Sequence, residues 1–257
     1  MKYLKLTTEN LEKEHICCAI SSNKDPQVLA KKAWLSTRLD EGLVFLRAQE
    51  RGKCFIEYIP AEKAWLPIRA ANYMHINCLW VSGSLKGHGY GDELMDACIQ
   101  DAREKGKLGL TAVSSPKKLG FLSDPKYLAH RGFRLADRAE PYFDLLYLPF
   151  EEDAPVPAWR EQAKQPKTEE SGFVLYYSYG CPFTAKYVPL IEKTAREMGV
   201  AFKSVFLDSS EAAQGAPAAW TNYALFYNGD FVTHEIQSEK KFMALVENLK
   251  GAQSRGL

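Results

Sequence analysis

The chain has 257 residues, and its 33 Lys and Arg against 32 Asp and Glu give a formal net charge of +1. Apolar residues make up 46% and charged residues 25%, which excludes wholesale disorder. A charge this close to zero argues against bulk electrostatic binding, so we expect neither nucleic acid nor a membrane as a partner. The length suits one large domain or two small ones.

No segment approaches the roughly 20 apolar residues of a membrane span, and the N-terminus has no apolar signal-peptide core. We therefore expect a cytoplasmic protein. The cysteines form no Cys-x-x-Cys pair, and we expect no metal centre. Adjacent Cys17 and Cys18 are compatible with a metal or a vicinal disulfide, but favour two small buried residues on a helix.

The chain divides near residue 150. Residues 151–171 are rich in charge and proline without periodicity, which predicts a linker between a first domain (1–150) and a second (172–250), with a tail at 251–257. Trp159 is the one linker residue expected to hold it to a surface. A flexible linker of about 20 residues spans about 25 Å, so contact between the domains stays open.

Strands and helices alternate irregularly in the first domain. Helices are predicted from Thr8 to Cys18, from Pro26 to Gly42, over 91–105 with a clear apolar stripe, and over 125–130. The predicted strands are 3–6, 43–48, 54–59, 73–81, 108–114, 133–136 and 143–148. This order predicts an α+β domain with one mainly antiparallel sheet and flanking helices.

The second domain is smaller. Asn228-Gly229 is the strongest short-range hairpin signal of the chain. The predicted strands are 173–177, 201–207, 223–227 and 231–235, and the predicted helices are 184–198 and 238–249. The order β-α-β-β-β-α predicts a small α/β sandwich.

A glycine-rich loop between a strand and a helix is the most informative segment. Gly87, Gly89 and Gly91 alternate with other residues just before the helix. Glycines let the main chain approach a ligand, and the helix start offers unpaired N–H groups, so the loop suits a pyrophosphate, with Lys86 adding a charge. A glycine turn without a ligand is the alternative. The spacing fits neither a P-loop nor a dinucleotide fingerprint.

This segment resembles the coenzyme A loop of the GNAT family of N-acetyltransferases. Leu79 and Val81 match the Leu-x-Val ending of the strand before that loop, and residues 127–133 resemble the aromatic…Gly-Phe signature. The resemblance implies a GNAT fold and acetyl-coenzyme A as cosubstrate. It implies binding through these residues: Leu79, Trp80, Val81, Lys86, Gly87, His88, Gly89, Tyr90 and Gly91. Lys86 replaces the usual Arg or Gln and loses the fork geometry of arginine.

The resemblance further implies transfer of an acetyl group to an amine of a small molecule or peptide by direct attack. Such transfer needs a base for the amine, donors for the oxyanion and an acid for the thiolate. His75, six residues before Val81, and Glu57, inside an apolar strand, are the base candidates, with ordinary structural roles as alternatives. Tyr127 is the acid candidate, although the family places its tyrosine at the position of Leu128.

Two details of the cleft stay open. Cys78 is a candidate nucleophile for a covalent route, which the family does not normally use. Trp65, Tyr73 and Trp80 form either an acceptor wall or part of the core, and aromatic-rich strands favour the core.

The second domain resembles the thioredoxin-like fold, and the two-domain combination resembles the bacterial YoaP-type acetyltransferases. Residues 181–184 look like a Cys-Pro-x-Cys loop with Thr184 in place of the second cysteine, and Thr221 stands where the family has a cis-proline. A helix start lowers the pKa of a thiol. The alternative function is therefore a redox or sensor protein acting through Cys181, with a non-catalytic acyl-coenzyme A-binding domain. A third alternative function is that of an interaction scaffold. A homodimer is compatible with each of these functions.

Overall fold

The computed structural model describes residues 1–19 and 21–253. The helices are α1 Pro26–Asp40, α2 Tyr90–Glu104, α3 Pro125–His130, α4 Glu161–Lys164, α5 Pro182–Glu197, α6 Ser210–Gln214 and α7 Glu239–Gln253. The strands are β1 Tyr3–Lys5, β2 Val44–Ala48, β3 Cys54–Pro60, β4 Ile68–Arg69, β5 Tyr73–Val81, β6 Gly109–Ser114, β7 Arg134–Ala139, β8 Phe143–Pro149, β9 Ala158–Trp159, β10 Phe173–Tyr177, β11 Phe202–Phe206, β12 Tyr223–Tyr227 and β13 Asp230–Thr233.

The first domain is built on a seven-stranded sheet of order β1-β2-β3-β5-β6-β8-β7. All neighbours are antiparallel except β5 and β6, which run parallel. Helix α1 shares one apolar cluster with the side chains on one face, and α2 and α3 share another with the opposite face. The α+β class with a mainly antiparallel sheet is confirmed.

The predicted helix from Thr8 to Cys18 does not form. Residues 7–13 make successive turns, in which the Asn10 side chain accepts from the Thr7 N–H at 2.9 Å and donates to the Lys5 carbonyl at 3.0 Å. The Glu12 and Lys13 carbonyls, which would accept from the next turn of a helix, instead accept from the Lys32 ammonium at 2.8 Å and the Asn23 amide at 3.2 Å. Cys17 and Cys18 are nevertheless buried, so their predicted burial is confirmed without the helix.

The segment predicted as a flexible linker is ordered against the first domain. Strand β9 pairs with β4, with Trp159 opposite Ile68, and α4 follows. The Trp159 side chain is completely buried, and its backbone N–H donates to Asp137 Oδ2 at 2.9 Å. Trp159 holds the segment in place, as the sequence predicts, because burying so large an aromatic surface outweighs the cost of ordering a short chain.

Substituting Trp159 by alanine should lower the free energy of unfolding by about 3–5 kcal/mol, since it leaves a large cavity. Urea denaturation measures this change. The matched control is Val156→Ala, at a residue of the same segment that is 58% exposed, where the expected change is within about 0.5 kcal/mol. Equal effects of the two substitutions would show that the segment contributes nothing to the fold.

The second domain is a four-stranded sheet of order β11-β10-β12-β13. Strand β10 runs parallel to β11 and antiparallel to β12, and β13 completes a hairpin. Helix α6, absent from the sequence prediction, has Ser209 as its N-cap, and the Ser209 side chain accepts from the Ala212 N–H at 3.1 Å. Helix α7 reaches Gln253, so residues 254–257 of the predicted tail lie outside the described residues.

The two domains are packed together and share one apolar cluster. Trp65 from the first domain and Trp220 from the second both belong to it. The Thr221 hydroxyl donates to the Trp65 carbonyl, and the Gln214 amide donates to the Ala64 carbonyl at 3.1 Å. The question left open by the sequence is thus settled in favour of contact. In the described part of the chain, no helix is both long and apolar enough to cross a bilayer.

Candidate active site

Strands β5 and β6 separate and leave a cleft in the middle of the first sheet. Their parallel pairing covers only Tyr73–Ile76 against Gly109–Ala112. Beyond it, β5 continues to Val81 paired with β3 alone, while β6 continues to Ser114 paired with β8. The backbone groups of 79–81 that face β6 therefore have no partner in the sheet, and this free edge can pair with an extended ligand.

A β-bulge marks the point at which the cleft opens. Glu57 lies opposite Cys78 and Tyr58 lies opposite Ile76, so Asn77 is the extra residue. Bulges re-aim side chains and end regular pairing, and they are common next to active sites. Here the bulge turns the Asn77 side chain towards Glu57.

The glycine loop ends in an open helix start. Gly87 and Gly89 have φ angles of +86° and +78°, and a Cβ added to either would meet nothing within 4 Å. Gly89 is the N-cap of α2, and no side chain of the described residues caps this helix. The first N–H groups of α2 are thus available to an anion, as predicted.

The other predicted loop residues lie around this helix start. Lys86 and His88 are exposed, and the His88 ring stacks on Tyr90 with the ring centroids 5.5 Å apart. Trp80 is half-buried, with the Lys53 ammonium 4.2 Å from its ring centroid.

Glu57 lies in a buried ion pair below the cleft. Lys31 Nζ is 2.8 Å from Glu57 Oε2 and 3.0 Å from Oε1, and the Asn77 amide donates to Oε1 at 3.0 Å. Both charged side chains are at most 3% exposed. Lys31 Nζ also donates to the Gly180 carbonyl of the second domain at 2.7 Å and lies 4.0 Å from the Trp34 ring centroid. These contacts hold the Glu57 carboxylate in place by one ion pair and one amide hydrogen bond.

His75 lies deeper in the same face of the sheet. Its Nδ1 is 2.9 Å from Thr111 Oγ1, and the residue is 1% exposed. Burial lowers the pKa of His75 to about 3. A ring that protonates so reluctantly and has no contact with solvent is poorly suited to removing a proton from an amine at neutral pH.

Tyr127 supports the helix start. Its hydroxyl donates to the Gly91 carbonyl in the first turn of α2 at 2.8 Å. Burial is the main cause of its raised pKa. Because the hydroxyl proton is engaged with a backbone carbonyl, this arrangement favours a positioning role for Tyr127 over that of an acid.

Cys181 is the N-cap residue of helix α5, but the prediction that the helix start lowers the pKa of its thiol is wrong. Burial raises the pKa of the Cys181 thiol to about 11, and this outweighs the backbone hydrogen bond with Phe183 and the charge of Lys31. Cys18 and Cys78 interact electrostatically with the same Lys31–Glu57 pair, and burial raises the pKa of both. The structure therefore gathers three protonated thiols around the ion pair.

Cys181 should accordingly react with iodoacetamide at neutral pH at least about 10-fold more slowly than a free thiol such as glutathione. Mass spectrometry of the labelled peptide measures this rate, with Cys181→Ser as the control that removes the signal. Rapid labelling at neutral pH would contradict the raised pKa and would support a redox or sensor role for Cys181.

Of the three aromatic residues expected to form either an acceptor wall or part of the core, two are buried. Trp65 and Tyr73 are 6% and 0% exposed, in agreement with the core alternative. No sequence motif singles out Lys31 or Gly180. Lys31 follows Val28 by three residues and precedes Leu35 by four, so it falls on the buried stripe of α1. A lysine on an apolar stripe is a signal of a buried partner.

The described residues contain no group of three or more His, Cys, Asp or Glu side chains arranged to hold a metal ion. Residues 8–121 match the family model described as acetyltransferase (GNAT) family, and residues 201–243 match the model described as YoaP-like.

Two solved structures are similar to parts of the chain. The PaiA N-acetyltransferase of Thermoplasma acidophilum in complex with coenzyme A is 16% identical with a TM-score of 0.40, covering 58% of this chain and 100% of that one. A GNAT family acetyltransferase of Brucella melitensis in complex with acetyl-CoA is 16% identical with a TM-score of 0.38, covering 62% and 96%.

A curated relative is similar along almost the whole length. The uncharacterized N-acetyltransferase YoaP of Bacillus subtilis (strain 168) is 45% identical over 250 residues, which are 97% of this chain and 100% of the relative. Identity at this level over both domains shows common descent of the whole chain. The protein therefore belongs to the same family as YoaP, with a GNAT acetyltransferase domain followed by a YoaP-like region.

Proposed function

We propose that this protein transfers the acetyl group of acetyl-coenzyme A to the nitrogen of an amine. The observation that carries the proposal is the uncapped start of α2, with open glycines, beside a cleft between two splayed parallel strands. A pyrophosphate needs N–H donors and space for close approach, and an extended pantetheine arm needs a free strand edge. Both features occur side by side, and family membership supports the same reading.

The residues fit the cosubstrate in three parts. The N–H groups around Gly87, Gly89 and Gly91 would hold the pyrophosphate, with Lys86 adding positive charge. The free edge of 79–81 would hold the pantetheine arm and offer N–H donors to the acetyl carbonyl oxygen. Acetyl-coenzyme A supplies the thioester: the amine nitrogen forms a bond to the acyl carbon, the carbon–sulfur bond breaks, and coenzyme A leaves as a thiolate that takes a proton from water.

We assign proton removal from the amine to Glu57. Lys31 and Asn77 hold its carboxylate, and their contacts leave lone pairs on the two oxygens for a further proton. An amine that enters as an ammonium ion would be attracted to this carboxylate before losing its proton to it. In this proposal His75 and Tyr127 are structural neighbours, for the reasons of burial and hydrogen bonding given above.

The second domain is proposed to be thioredoxin-like, as its order of elements suggests. The division at residues 150 and 172 is part of the same proposal. Burial raises the pKa of the Cys181 thiol, which argues against a redox role for Cys181. Cytoplasmic location, a homodimer, and the lack of nucleic-acid and membrane partners stay predictions from the sequence alone.

Isothermal titration with acetyl-coenzyme A, followed by an assay of coenzyme A release in the presence of amines, tests the proposal. We expect saturable binding at one site per chain and amine-dependent release of the free thiol. Failure to bind acetyl-coenzyme A at millimolar concentration would refute it.

A further inference from the structure

The second domain contacts one side of the cleft, at strands β3 and β5, through the loop before α5. The Gly180 carbonyl accepts from Lys31 Nζ at 2.7 Å, and Lys31 holds Glu57, which lies opposite Cys78 on β5. Cys181, the next residue, is the N-cap of α5. This loop therefore lies directly against the base that we propose.

The second domain also contacts the opposite side of the cleft, through His234. Its Nε2 is 2.9 Å from the Gly120 carbonyl, and its Nδ1 is 2.8 Å from the Tyr142 hydroxyl. Because a carbonyl only accepts, Nε2 carries the proton and Nδ1 accepts from Tyr142. The Phe231 ring meets Phe143, at the start of β8, with centroids 5.7 Å apart. Gly120 lies in the loop that follows β6, and β6 is the second wall of the cleft.

Both contacts are on one face of the sheet. Cys78, Tyr142, Phe143 and Phe231 belong to the apolar cluster that includes α1, whereas α2 covers the opposite face. The second domain thus spans the cleft on the side that carries Glu57. An amine approaching Glu57 from this side meets the second domain first.

A cavity of about 350 Å³ remains between the domains near the end of β6. From the first domain, Leu119 and Lys117 line it in the loop that follows β6, together with Tyr142. From the second domain, His234 and Glu235 line it. Among the described residues, Glu235 makes one ion pair, with Lys241 at 3.6 Å, so its carboxylate keeps capacity for another cation.

We propose that the second domain is a wall of the acceptor site and that the acceptor is a small amine with a second, cationic group, which binds in this cavity at Glu235 while the reacting nitrogen extends along β6 into the cleft. The inference rests on the proposed function and adds the class of acceptor. About 350 Å³ is near the lower end of the range for small-molecule sites. Because the second domain covers this side of the cleft, a small amine has easier access to Glu57 than a lysine or N-terminus on the surface of a folded protein.

Two pairs of variants of the full chain test the cavity. Leu119→Trp fills it and should raise the KM for a small amine by about 10-fold or more, while the acetyl-coenzyme A Kd stays unchanged. Its control is Leu135→Trp, at an exposed residue of β7. Glu235→Gln should raise the amine KM by about 10-fold through loss of a charge-assisted hydrogen bond. Its control is Glu239→Gln, at an exposed position of α7.

The wild-type chain is assayed with a panel of alkylamines, polyamines, amino acids and amino sugars, and with lysine-containing peptides and folded proteins. Acetylation of small amines at least about 100-fold more efficiently than of peptides, with KM effects confined to the cavity variants, is the expected result. Equal or better acetylation of peptides, no acetylation of any small amine at high millimolar concentration, or cavity variants that match their controls would overturn the inference. In each case, intact acetyl-coenzyme A binding by titration leaves the proposed function standing, whereas loss of that binding refutes both.

Discussion

Replacing Gly89 by glutamate should weaken acetyl-coenzyme A binding by at least about 100-fold, equivalent to about 2.7 kcal/mol. The added side chain would occupy the open space before α2 and place a carboxylate where the N–H groups of this helix attract a negative charge. Isothermal titration of the purified variant measures the loss.

The matched control is Gly106→Glu. Gly106 also has a positive φ, +65°, and open space around an added Cβ, so both substitutions carry a similar backbone cost of about 1–2 kcal/mol. Gly106 follows the other end of α2, whose 15 residues make it about 22 Å long. Similar Kd values for the two variants would refute the assignment of the pyrophosphate to the glycine loop.

Substituting Glu57 by glutamine should lower kcat by about 100-fold or more while the Kd for acetyl-coenzyme A changes little. The variant should also be less stable by about 3–5 kcal/mol, because it breaks a buried ion pair by removing one partner. Steady-state kinetics and urea denaturation of the same preparation measure the two effects.

A double variant separates the base role from the structural role. Lys31→Met together with Glu57→Gln removes both buried charges and should regain most of the lost stability. We expect its kcat to stay as low as that of Glu57→Gln alone. Recovery of kcat together with stability would show that Glu57 serves only the fold.

The sequence was sufficient for features that depend on neighbouring residues. Strand β5, the glycine loop and α2 follow one another over 73–104, and their turn, cap and stripe signals are all local. The bounds of β5, α3, β10 and β12 agree with prediction for the same reason. The helix predicted from Thr8 does not form because the Asn23 and Lys32 side chains bind the Lys13 and Glu12 carbonyls, and the apolar spacing around Thr8 does not indicate those contacts.

Features made by tertiary contact could not be predicted. Lys31 meets Glu57 from 26 residues away and Gly180 from 149 residues away. The suitability of His75 and Cys181 depends on burial, which moves the His75 pKa down and the Cys181 pKa up, and no spacing in the sequence encodes it. Trp159 is identified as an anchor from the sequence, but strand β9 and helix α4 around it depend on the surface that they cover.

A crystal structure of the protein grown with coenzyme A tests the central claim most directly. We predict the pyrophosphate oxygens at about 2.9 Å from backbone nitrogens of residues 87–91, with the pantetheine arm along 79–81. A bound coenzyme A whose phosphates lie away from the start of α2 would contradict the account.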